Sequence, residues 1–186
     1  MHIEQILEVL KQPNISHYLT EMSQVHMYTK HYLLIAEELS EEGVAFLQPL
    51  KEHRDAYDHI SRIFSLSLKD GNNEERDDEA YILDNVRKAF GHEYRAFFDM
   101  ADWFTYICRK YIREELSSKI KKKKYQEKFD FEDTKQFINQ LPLCIAEFRE
   151  RKDVSNEQPI LAEVLEYKKI MDRLLEIYQQ VQDLTI

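Results

Sequence analysis

Apolar residues recur at helical spacing along almost the whole chain. A short amphipathic segment covers residues 2–11 and stops before Pro13. Ile15, Tyr18, Leu19, Met22, Val25, Leu33 and Ala36 then form one stripe. They predict a long helix to about Leu39, capped by Asn14 or Ser16. Ser40-Glu41-Glu42 reads as a fresh helix start, and Gly43 and Pro49 as a kink or break. From Leu50 to about Leu68 the pattern is helical again. KDGNNEERDD, residues 69–78, is the clearest loop, and its closing acids suit the N-terminus of the next helix. That helix starts near Glu79 and extends as far as Lys124, with Gly91 its one weak point. Residues 125–131 read as a connection. A helix over 133–152 contains Pro142, which is expected to kink or split it. Ser155 to Gln158 resembles a capping box, and a last helix follows over 159–183.

No stretch alternates like a strand, and there is no repeat, low-complexity linker or second domain. The expected fold is all-α: a single-domain bundle spanning 1–186, with five to seven helices built on long antiparallel ones. Composition agrees. Only 3 Gly and 4 Pro occur in 186 residues, while 33% are charged and 43% hydrophobic.

A net charge of −9 argues against a general nucleic-acid-coating role, because phosphate binding needs positive fields. Cys108 and Cys144 are not spaced as a zinc pair or a redox motif, and both lie among apolar neighbours as buried free thiols. No apolar run approaches the ~20 residues that cross a bilayer, and the N-terminal segment has acids in its apolar part. The expected compartment is the cytoplasm, without membrane association.

Helical-wheel positions, taken at about 100° per residue, separate the polar clusters. In HRDAYDH, residues 53–59, His53 falls inside an apolar arc with Ala56, Tyr57, Ile60, Ile63 and Phe64. Arg54 and Asp58 share a polar flank at i, i+4, while Asp55, His59 and Arg62 form a second polar row. HEYRAFFD, residues 92–99, divides in the same way. Glu93 lies within a broad apolar arc, and His92, Arg95 and Asp99 lie opposite, Arg95 and Asp99 again at i, i+4.

An antiparallel hairpin about residue 73 places His53 level with Glu93. A buried carboxylate needs a partner, so a His53–Glu93 hydrogen bond or ion pair is expected. His26 sits on the apolar stripe of the preceding long helix, and a turn near residue 42 brings it within about one helical turn of His53. Two histidines and a carboxylate from three helices form a ligand set for divalent metals; the same three residues equally form a buried polar network that fixes packing. No Glu-x-x-His occurs, which argues against a ferritin-like di-iron site.

Arg54 to His59 has Arg-x4-His spacing, and Arg87 to His92 repeats it. This resembles the signature of HEPN ribonucleases, which are also helical bundles. The resemblance implies a metal-independent, dimeric ribonuclease using Arg54 and His59, or Arg87 and His92. On an unbroken helix, however, residues five apart point about 140° away from each other. Gly91 supplies a break inside the second match. The run KIKKKKY offers Lys119, Lys121, Lys122, Lys123 and Lys124 for anions, or as a solvated helix end.

No phosphate loop, dinucleotide fingerprint, nucleophile elbow or zinc motif is present, so no cofactor is expected and the chain leans away from enzymes. The leading expectation is a non-enzymatic interaction or regulatory protein acting through helix faces. It would be a homodimer with a protein partner rather than nucleic acid, with RNA the partner if the HEPN-like resemblance holds. The third reading is a metal- or ligand-binding bundle around His26, His53 and Glu93.

Overall fold

The computed structural model describes residues 1–40, 46–68, 77–117, 130–154 and 160–184. Among these residues the protein is all-α, with six α-helices, one 3-10 turn and no strand. The helices are α1 (Ile3–Leu10), α2 (Pro13–Leu39), α3 (Leu47–Phe64), α4 (Asp78–Ser117), α5 (Phe131–Val154) and α6 (Ile160–Asp183); the 3-10 turn Ser65–Leu68 extends α3. The expected break around Gly43, residues 69–76 of the loop, the Lys119–Lys124 run, the connection over 125–129 and the capping box over 155–158 lie outside the described residues.

The helix starts follow local chemistry. α2 begins at Pro13 rather than at an Asn14 or Ser16 cap, and the Gln12 carbonyl accepts from Ile15 N at 2.9 Å and Ser16 N at 2.8 Å. Proline suits a first helical position because its missing N–H has no intrahelical partner there. Pro49 likewise does not break α3; it is buried in the first turn, among N–H groups that the helix cannot satisfy. Aspartates cap the next two starts. Asp77 Oδ1 accepts from Ala80 N at 3.0 Å, and Asp130 Oδ1 accepts from Asp133 N at 3.0 Å.

α4 passes through Gly91 without a break, since the i→i−4 ladder needs only the backbone. α5 also continues through Pro142 instead of splitting. Pro142 cannot donate to the carbonyl of Ile138. Arg113 Nη2 approaches that carbonyl at 3.5 Å, so α4 partly replaces the missing donor.

The chain divides into two compact units, Met1–Glu37 with Gly43–Ala101, and Glu38–Glu42 with Asp102–Ile186; α4 supplies residues to both. In the first unit, Ile6, Ile15, Ile63, Leu66, Ile82 and Val86 form a buried cluster at one end. Farther along, the Tyr18 ring meets Phe90 edge-on at 6.2 Å. Contacts across α3 and α4 join His53 to Glu93 and His59 to Asn85, pairs mirrored about residue 73. Such mirroring means antiparallel helices. Tyr18–Phe90 and His26–Glu93 instead ascend together, so α2 runs parallel to α4.

In the second unit α5 and α6 are antiparallel. Arg173 of α6 donates to Asp133 Oδ2 at 2.5 Å and lies over the Phe137 ring at 4.3 Å, while Tyr167 meets Phe148 at 5.2 Å. Tyr111 of α4 packs on Tyr178 at 4.6 Å. Cys108 is buried, and burial pushes its thiol up to about 12, leaving it unreactive. Cys144 is only half-buried, because its flank of α5 is not fully covered. No helix among the described residues is long and apolar enough to cross a membrane.

Candidate functional site

His26, His53 and Glu93 meet inside the first unit, one from each of α2, α3 and α4. Their potential ligand atoms all lie within 4.8 Å of one another. Glu93 is 6% exposed. Burial pushes its carboxyl up, but the hydrogen bond from His26 and the close electrostatic contact of His53 outweigh burial and hold it below the ordinary range. An ionised carboxylate only accepts, so the His26 nitrogen hydrogen-bonded to it carries a proton.

His26 Nδ1–H donates to Glu93 Oε2 at 3.2 Å. That hydrogen bond raises the His26 pKa; partial burial opposes it, and the charge of Glu93 adds to the rise. His53 Nδ1 comes to 2.9 Å from the same oxygen. It lies out of line for a hydrogen bond, so the contact is electrostatic. The two imidazole rings stand edge to face, 4.7 Å apart. His53 is the more enclosed, its side chain 16% exposed against 45% for His26.

These three side chains form part of the wall of a cavity of about 320 Å³. Met22, Ser23, Met27, Ala56, Tyr57 and Ile60 complete its lining. Tyr57, an apolar-arc residue by sequence, is 73% exposed at the mouth. The volume is at the small end of ligand pockets, enough for an ion with a small molecule or a folded-in side chain.

A second histidine–carboxylate cluster flanks the same helix pair. Glu52 Oε2 accepts from His92 Nδ1 at 2.8 Å and from Arg95 Nε at 2.9 Å. Burial raises the Glu52 pKa, but the two donors more than offset it and the carboxylate stays charged. His92 stacks on His59 at 5.3 Å, and His59 Nδ1 hydrogen-bonds Asn85 Oδ1 at 3.0 Å. Part of each polar row therefore meets across the helix pair, Glu52 and His59 of α3 against His92, Arg95 and Asn85 of α4, while Arg54, Asp58 and Arg62 stay exposed. The antiparallel pairing brings the Glu52 carboxylate opposite His92 and Arg95.

The expected pairings on single helices are corrected. Arg54 binds Asp55 through Nε at 2.9 Å and Nη2 at 2.7 Å, not Asp58. Asp58 pairs with Arg62 at 2.5 Å, an acid-before-base order that suits the helix dipole better than Arg54 before Asp58. Arg95 reaches across to α3 and pairs with Glu52, a partly buried carboxylate that needs cations.

Neither Arg/His pair converges. Arg54 points outward to Asp55 while His59 turns to Asn85. Arg87 lies over the Tyr18 ring at 5.4 Å while His92 turns to Glu52. α3 and α4 are unbroken between the members of each pair, so the 140° separation of residues five apart persists.

Sequence reasoning missed Glu52 and Asn85. The mirror about residue 73 that set His53 against Glu93 also sets Glu52 near residue 94 and Asn85 near 61, so both were within reach of the same construction. The cavity had no sequence signal. Comparison with known proteins finds no matching protein family, curated protein or solved structure.

Proposed function

We propose that this chain is a transition-metal-binding helical bundle with His26, His53 and Glu93 as its ligands. One observation carries the reading: three ligating side chains from three helices converge beside a cavity whose remaining wall is almost wholly apolar. Imidazole and carboxylate suit zinc, copper, iron and nickel. Three protein ligands leave a coordination position for water or a small ligand, the open arrangement of sites that do more than brace a fold. A charged carboxylate flanked only by histidines can exchange their protons for a metal ion.

Zinc titrated calorimetrically into chelator-stripped protein tests this. One ion per chain is expected, with affinity weakened at least about tenfold by His53→Ala and by Glu93→Ala. His59→Ala, outside the cluster, should leave affinity unchanged. No saturable binding at millimolar zinc would refute the reading.

A separate observation favours a second reading, an interaction protein that dimerises through helix faces. α3 leaves Leu50, Tyr57 and Phe64 exposed at seven-residue intervals, and α2 leaves Met27 and Leu34 exposed at the same interval. Seven-residue spacing aligns side chains along one face of a helix. Exposed apolar rows of this kind serve association, and a second copy is the commonest partner. The net charge of −9 favours a protein partner over nucleic acid.

A further inference from the structure

Besides the hydroxyl-bearing Ser23 and Tyr57, the residues lining the cavity beyond the histidine–carboxylate cluster include two thioethers, Met22 and Met27. Two of the chain's five methionines thus line one small cavity. Both stand on α2 beside a ligand histidine. Met22 and His26 are four residues apart, one above the other on the same helix face. Met27 follows His26 directly, lines the same cavity and is 62% exposed, and its unbranched side chain is conformationally adaptable. Leucine would cover the same apolar surface with better-defined packing, so a methionine pair at this position offers sulfur as its distinguishing property.

Thioether sulfur is a soft, neutral ligand that selects Cu(I) over zinc, magnesium or manganese, and imidazole serves copper equally well. Resting on the metal-binding reading above, we propose that the site's metal is copper, held as Cu(I) by His26, His53 and Met22, with Met27 closing over the mouth. For Cu(I) the soft Met22 sulfur takes the ligand place that Glu93 holds toward zinc, and Glu93 orients the imidazoles and supplies a compensating negative charge. Because no thioether proton has to leave, Cu(I) binding displaces fewer protons than a thiolate site would.

The test compares two ions on the intact chain. Cu(I) is titrated anaerobically, with a reductant present, against a chromophoric competitor; zinc is titrated in parallel. Met22→Leu/Met27→Leu should weaken Cu(I) at least about tenfold and shift zinc affinity less than about twofold. Leucine keeps the apolar volume, and an unchanged circular dichroism spectrum checks the fold. Cu(I) affinity unaffected by the double substitution overturns the thioether assignment. Zinc binding without Cu(I) binding overturns copper and leaves the metal reading intact. Failure of the wild-type chain to bind either ion overturns both.

Discussion

Glu93→Gln keeps the shape of the buried side chain and removes its charge. Two contacts weaken. The hydrogen bond from His26 involves a side chain 45% exposed, so solvent screening limits it to about 0.5 kcal/mol. The His53 contact is shorter, 2.9 Å, and its side chain is 16% exposed, but its geometry is out of line. Hydrogen bonds to charged groups contribute about 1.5–3 kcal/mol; a close contact without that alignment is set lower, at about 1 kcal/mol. Removing the charge also relieves the desolvation of the carboxylate, so the single substitution should cost only about 1 kcal/mol. A double-mutant cycle cancels that relief and reads each contact alone. Glu93→Gln with His53→Ala should couple by about 1 kcal/mol, and with His26→Ala by about 0.5 kcal/mol. The assay is urea unfolding followed by circular dichroism, with a chelator present and equal denaturant slopes required of all variants. Burial is held here to outweigh alignment. A His26 coupling larger than the His53 coupling would refute that ranking, and additivity in both cycles would show that the cluster contributes nothing to stability.

Two further outcomes follow from particular residues. A Cβ on Gly91 would meet only Arg95 Nη1, at an ordinary 3.7 Å, so Gly91→Ala should stabilise by about 0.5–1 kcal/mol in the same unfolding assay; destabilisation would show that Arg95 cannot yield without loosening Glu52. For the helix-face reading, sedimentation equilibrium should show a dimer that Leu50→Lys and Phe64→Lys together convert to monomer, whereas a wild-type monomer at all concentrations would dismiss it.

The fold class was legible because helical spacing persists through nearly the whole chain and few glycines or prolines interrupt it. The His53–Glu93 level was legible for a related reason: in an antiparallel hairpin, distance from the turn becomes height along the bundle. Less legible was which polar residues are wet. A helical wheel assigns each side chain an angle, but the width of the covered seam depends on the partner helix. His92 stands at an angle that reads as exposed, yet it is largely covered because Glu52 arrives from α3 with the complementary group. The cavity lies further out of reach. Tyr57 belongs to the apolar arc by position but is largely exposed, and the cavity it helps to line is a property of three helices together.

Glu52-His53 on α3 and His92-Glu93 on α4 are the same two residue types in opposite order, and they cross twice. One cross is closed: Glu52 is satisfied by His92 and by Arg95, a permanent cation. Its task is met by fixing the register of the two helices. The other cross has no such cation. Glu93 is the more buried carboxylate, yet its partners are two imidazoles, one out of line and one half in water. A network selected for packing alone would place its permanent cation at the deeper acid, where the cost of burying charge is greatest. Here the deeper acid keeps partners that can give up their protons, and it opens on the cavity with the methionines. On the metal-binding proposal, that asymmetry is what distinguishes the Glu93 cluster from the Glu52 one.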